Sequence, residues 1–410
     1  MNLLIVVLSI GYLIFDLCVF LLICKKNKSM FNSYTVETAN ELIIRYIPFL
    51  LNLGIYLTNY KKSLYIFLFI LYSSTLCKMG GYLFGFKLFF PYIRLKNQLY
   101  YSVCKYKMMR KIAILFCIVT FILLGVNGVG VKEWIFNSRN AYMTGRTGNG
   151  IYYVLFQLSL IVIAVLLLCE KNYYKKSLYK YWLVILGSVL TGSKNMILGI
   201  ILIYFFYRDM FVKKMSIKKV VFIGIAGLIS IMMLLKIQSN ITLADYSDYY
   251  SNFIRLLDYS MNDEWNFYKG KITIENLLWG MIPRSLYSNK PYIYGYSKII
   301  NLFYPENVIL AGNTPSFSQY CISYADFGVS GICLSFFIKG IFRGFLENNL
   351  RKNMKFYGIS FNIYFTYCVC FIVTPLNFGI IYFILFYTLI YFMQKYLLNL
   401  KFTINKGERV

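Results

Sequence analysis

Two cations sit between two prolines in Pro283-Arg284-Ser285-Leu286-Tyr287-Ser288-Asn289-Lys290-Pro291. A guanidinium is a planar fork of donors and an ammonium a compact charge, and both stand in the longest polar stretch of the chain, where a polar substrate would meet a membrane-embedded site. A second stretch holds Arg139, Tyr142 and Arg146 among glycines 145, 148 and 150. Its arginines fit a phosphate clamp or pairing with lipid headgroups at a membrane surface. A third is the turn Thr191-Gly192-Ser193-Lys194-Asn195, where Ser193 can cap a following helix whose first amides converge with Lys194. That makes either a phosphate site or a tight helical hairpin with a snorkelling lysine. Acids are scarcer. Asp326 stands inside an apolar run, and a carboxylate at membrane depth is a functional candidate by default. Trp279, Tyr287 and Tyr292 offer flat faces with polar tips, which suit stacking on sugars and equally a membrane interface.

Composition dictates what must position these groups. Of 410 residues, 59% are hydrophobic and only 14% charged, against roughly 25% charged in a soluble domain. Apolar runs recur throughout, and about 20 such residues span the bilayer core. The chain therefore reads as an all-α polytopic membrane protein, because helices satisfy their own backbone in lipid. Spans are expected near 2–24, 41–59, 63–78, 111–130, 150–169, 179–192, 194–208, 219–237, 319–339, 357–375 and 377–394, about eleven in all. The range is ten to twelve, since Gly80–Ile93 reads as a re-entrant or extra span. Positive charge follows the first span (Lys25, Lys26, Lys28) where a signal peptide would carry it before, so an uncleaved span is expected.

Residues 237–318 form the longest polar stretch. It divides the chain into N-terminal helices (1–236), one long loop (237–318) and C-terminal helices (319–410). The net charge is +27, yet the loop has six basic residues against seven acidic, leaving 37 basic and nine acidic elsewhere. Basic connectors such as Lys105–Lys111, Lys171–Lys180 and Lys213–Lys219 mark the cytoplasmic side, which puts the loop and 131–149 outside. This distribution is one of insertion and not a nucleic-acid footprint. In the loop, Phe253, Ile254, Leu257 and Met261 recur at helical spacing, as in an amphipathic helix on a membrane surface. Gly312–Ser318 reads as the turn before the ninth span, and Gly328 and Gly331 as points of close helix approach. Asp16 in the first span is set against Arg45 as a structural partner. There is no histidine, and no cysteine falls in the loop, so imidazole chemistry and a disulfide framework there are excluded. No clustered carboxylates suggest a metal, and no cofactor is expected.

The Pro283-Arg284 to Lys290-Pro291 stretch, Tyr324–Asp326–Phe327–Gly328 to Gly331, the Gly192-Ser193-Lys194 turn and the Arg139/Tyr142/Arg146 connector together resemble the Wzy-type polymerases that join oligosaccharide repeat units of O-antigens and capsules. The resemblance implies a ligase-like, GT-C-like membrane architecture. It also implies transfer of a growing chain from undecaprenyl pyrophosphate to the next lipid-linked unit, on the outer face of the bacterial inner membrane. Arg139, Arg146, Lys194, Arg284 and Lys290 would then hold the pyrophosphate, with Arg284 and Asp326 catalytic; Asp326, with Glu264 second, would accept the proton of the attacking sugar hydroxyl. A chain-length regulator and a flippase in the same membrane would be partners. Lys194 stands where the family usually has arginine. The other readings are a flippase of the same lipid-linked unit and an O-antigen ligase-like transferase. One dominant loop and no internal repeat do not suit the first, and the related ligases rely on an extramembrane histidine that this chain lacks, which argues against the second.

Overall fold

The computed structural model describes residues 2–88, 103–144, 150–174, 179–212, 214–215, 249–262, 265–282, 287–305, 318–357 and 368. Among them every regular element is helical. Among the described residues five helices are long and apolar enough to cross a membrane: Asn2–Asn27, Lys61–Lys87, Met108–Val126, Tyr152–Cys169 and Gln319–Lys352. The expected all-α membrane protein is borne out at that level. The spans read at 219–237, 357–375 and 377–394 lie outside the described residues, apart from Tyr357 and Cys368.

In chain order the helices are α1 (Asn2–Asn27), α2 (Ser33–Glu41), α3 (Ile47–Leu51), α4 (Leu53–Asn59), α5 (Lys61–Lys87), α6 (Val103–Val126), α7 (Val131–Phe136), α8 (Ser138–Thr144), α9 (Gly150–Tyr174), α10 (Tyr179–Val189), α11 (Lys194–Tyr207), α12 (Ser251–Asn262), α13 (Lys271–Met281), α14 (Ser297–Phe303) and α15 (Gln319–Tyr357). The span read at 41–59 is a broken helical run with a π turn at Leu42–Tyr46. Residues 80–87, suspected of re-entry, simply continue α5. The hairpin of two short helices is present: α10 has 11 residues and α11 has 14. At about 1.5 Å per residue both fall short of a core of about 30 Å.

Two compact units are formed, each from segments far apart in sequence: Met1–Phe90 with Phe205–Asn349, and Pro91–Tyr204 with Leu350–Val410. In the first unit one core takes Tyr12 from α1, Tyr46 and Phe49, Phe67 and Leu71 from α5, Phe253 and Leu257 from α12, and Tyr320 and Phe336 from α15. The expectation for α12 is therefore corrected. Its apolar face is not laid on lipid but buried on protein, with the Phe253 ring 5.9 Å from Phe67 and 5.6 Å from Tyr320. The Ser63 hydroxyl donates to Asp258 at 2.7 Å, so the start of α5 lies beside α12 of the loop.

Helices α5 and α15 approach closely at Gly81 and Gly85 on α5 and Gly340 and Gly344 on α15, where a Cβ at any of the four would overlap the other helix's backbone. Two small-xxx-small motifs thus meet, the usual way membrane helices pack closely. Gly328 does something different. It takes φ +65 at a break in α15, next to Phe327 at φ −141, a conformation only glycine adopts without strain.

In the second unit α6 runs along α9, and α10 packs on α9 as well. Trp134 of the connector helix α7 is fully buried, its ring 6.0 Å from that of Tyr153 on α9.

Candidate functional site

The break in α15 is where the loop attaches. Unwinding at Phe327–Gly328 frees carbonyls that would otherwise continue the helical ladder. The Ala325 and Asp326 carbonyls accept instead from the Tyr268 and Lys269 amides, at 3.0 and 2.9 Å. The Asp326 side chain then reaches the first turn of α13. Its two oxygens accept from the Ile272 amide (3.0 Å), the Thr273 amide (2.9 Å) and the Thr273 hydroxyl (2.6 Å). A carboxylate there satisfies amides that a helix start leaves open and sits at the positive end of the dipole. Asp326 is 0% exposed. The residue singled out as a proton acceptor is thus engaged by three donors inside the protein.

Helix α13 leads directly into the Pro283–Pro291 segment. Residues 283–286, Arg284 among them, lie outside the described residues, but both flanks are held. Trp279 stacks on Tyr287 with centroids 5.6 Å apart and planes 26° apart. The Lys290 ammonium donates to the Ile282 carbonyl at 2.9 Å and lies 4.7 Å from the Tyr294 ring centroid. Lys290 therefore clasps the segment across its neck. Tyr292, also read as sugar-binding, is 83% exposed. Behind the clasp, Glu275 of α13 takes the Lys298 ammonium at 2.6 Å and the Gly295 amide at 2.8 Å. Partial burial alone would raise this carboxyl, but Lys298 and the Gly295 amide hold it below the usual carboxylate range.

The other cationic stretches belong to the second unit, where the structure brings two of them together. The turn between α10 and α11 takes φ +62 at Gly192, and a Cβ there would overlap the Ser138 carbonyl and press on Tyr142. Arg139 donates to the Gly192 carbonyl at 3.4 Å and lies 5.2 Å from the Tyr142 ring. Tyr153 donates to the Thr191 carbonyl at 3.1 Å. The Ser193 carbonyl accepts from the Met196 and Ile197 amides, starting α11 with Lys194 as its first residue. Arg139 and the lysine turn therefore share one place. Arg146 and Glu264 lie outside the described residues.

A buried charge cluster in the first unit escaped sequence reasoning. Lys78, 2% exposed, pairs with Glu41 at 3.2 Å and Glu37 at 3.9 Å. Glu37 also pairs with Lys339 and, at 3.0 Å, with Arg343. Glu347, 0% exposed, accepts from the Ser33 amide and hydroxyl, while Arg343 donates to the Ser33 carbonyl. Arg45 pairs with Glu41 at 3.6 Å, not with Asp16 as expected, because Glu41 is its neighbour one helical turn away. Together these pairs fasten α2, α5 and α15, opposite charges offsetting one another where water cannot. The available signal was charge inside apolar runs at Lys78, Lys339 and Arg343.

No protein-family model matches the chain, and no solved structure matches it. Two proteins do: the O-antigen polymerases of Salmonella typhimurium (strain LT2) and Salmonella typhi, each 26% identical over 280 residues. The chain is similar to O-antigen polymerases. The resemblance to Wzy-type O-antigen polymerases is thereby borne out. The match covers 65% of this chain and 66% of each relative, just under two thirds of their length.

Proposed function

We propose that this chain is a membrane-embedded polymerase of a bacterial surface polysaccharide, acting on oligosaccharide repeat units carried by undecaprenyl pyrophosphate. The observation that carries the reading is the similarity to two O-antigen polymerases, joined to a loop that is anchored on a broken membrane helix and holds the flanks of Arg284. In the proposed reaction a hydroxyl of the acceptor unit attacks the anomeric carbon of the growing chain. The bond from that carbon to the pyrophosphate oxygen breaks, a glycosidic bond forms, and the hydroxyl proton leaves for a basic group. Lipid pyrophosphate departs as an anion. Fixed cations lower the barrier by meeting charge where it develops, and this is the role assigned to Arg284, with Arg139, Arg146 and Lys194 as further pyrophosphate ligands. This charge stands in for a metal in the proposal.

Geometry supports a changed role for two residues. Lys290 serves best as the clasp between the two flanks of the segment and contributes charge from there. Asp326 serves best as a positioning residue for α13, which leaves Glu264 as the acceptor to test. Trp279, Tyr287 and Tyr292 would present ring faces to the glycan. The proposal retains about eleven spans, a GT-C-like plan divided at 237 and 318, a loop outside the inner membrane, and a flippase and chain-length regulator as neighbours.

Deletion of the gene tests the reading through the cell's glycan profile. Surface glycan reduced to a single repeat unit is the expected result. Loss of all surface glycan, with lipid-linked units trapped inside, would assign the chain to transport instead.

A further inference from the structure

The second unit contains a cavity of about 440 Å³ between α6, α9 and α10, within the size range of ligand sites. Its walls are apolar along their length, and two cations, Arg110 and Lys180, stand among the lining residues. Both belong to the basic segments 105–111 and 171–180, at the start of α6 and of α10. The apolar part climbs α9 from Leu167 to Phe156, eleven residues or about 16 Å at 1.5 Å per residue. That is about half of a hydrocarbon core of about 30 Å. One side is open, where Leu183 is 64% exposed.

We infer that this groove binds an anionic phospholipid of the cytoplasmic leaflet, its phosphate at Arg110 and Lys180 and one acyl chain lying toward Phe156. Charge complementarity selects the headgroup: basic pockets between membrane helices on the cytoplasmic side hold acidic lipid heads. Length selects the source, because an apolar channel of one leaflet's depth, charged at the basic end, suits a lipid of that leaflet. The proposed site uses neither the loop nor the turn cations, and it does not depend on the polymerase reading.

The test uses the full chain in detergent, stripped of lipid, with native mass spectrometry and thermal unfolding as readouts. Phosphatidylglycerol is expected to bind more tightly than phosphatidylcholine and to raise the unfolding midpoint. Each cation removed should weaken phosphatidylglycerol about fivefold, and Arg110→Gln with Lys180→Gln about 25-fold. Lys180→Arg should retain binding. Gly187→Leu, which pushes into Leu160 (a Cβ already meets it at 3.2 Å), should abolish binding with both cations intact. Should the double variant fail to fold, Lys180→Gln alone, at an exposed position, gives the fivefold readout. Equal binding of phosphatidylcholine, or unchanged affinity without the cations, would overturn the proposal. So would a preference for a polyprenyl phosphate over phosphatidylglycerol.

Discussion

Replacing Asp326 separates a positioning carboxylate from a catalytic one. The side chain accepts three hydrogen bonds at 2.6 to 3.0 Å and is 0% exposed. Asp326→Ala strands two amides and a hydroxyl at the start of α13, and loss of a helix cap alone costs about 0.5–2 kcal/mol. Bonds to a charged group are worth about 1.5–3 kcal/mol, so a total of about 2–4 kcal/mol is expected. Asp326→Asn keeps one acceptor oxygen and should cost about half as much. The measurements are the thermal midpoint of the purified chain and the length of polymer made in cells. A positioning role predicts graded loss of both, Asn above Ala, with the pH profile of polymerisation unmoved. It also predicts coupling with Thr273→Val in a double-mutant cycle. Asp326→Asn that stops polymerisation completely at an unchanged midpoint would refute the reasoning and restore Asp326 as the base.

Other parts of the structure make equally direct predictions. Gly81→Leu or Gly340→Leu should prevent folding, seen as loss of a symmetric size-exclusion peak, whereas Gly54→Ala, with nothing near its Cβ, should be harmless. Glu37→Gln leaves Lys339, Arg343 and Lys78 short of one buried partner and should destabilise by about 3–5 kcal/mol. Adding Lys339→Met should recover part of that loss in thermal unfolding. The Glu275 carboxyl is depressed in the folded loop, so its stabilisation is complete above the ordinary carboxylate range and fades as pH falls through the lower folded value. Limited proteolysis of the loop should thus accelerate in acid, and Glu275→Gln should remove that dependence.

Local features were legible in the residues. Apolar runs gave the helices, and the Gly192 turn between two short runs gave the hairpin, because both signals lie within a few neighbours. Partners distant in sequence were not legible. Asp326 answers the first turn of α13, some 53 residues earlier, and Ser33 meets Glu347 across 314 residues. Periodicity shows that a helix such as α12 has an apolar face, yet not whether lipid or protein covers it. The intramembrane charges at Lys78, Lys339 and Arg343 were visible as exceptions, but only packing reveals that each has an opposite charge waiting. The glycine pairs on α5 and α15 carried a readable spacing, though which helix each would meet was not encoded in it.

Arg284 carries the central claim, that fixed positive charge meets the departing pyrophosphate. Purified chain supplied with lipid-linked repeat units, with product length and released undecaprenyl pyrophosphate measured together, tests it most directly. Arg284→Ala should cut both readouts by about 100-fold or more, the scale of losing one donor to a developing anion, and Arg284→Lys should restore a fraction. Full-length polymer and undiminished release from Arg284→Ala or Arg284→Glu would contradict the account.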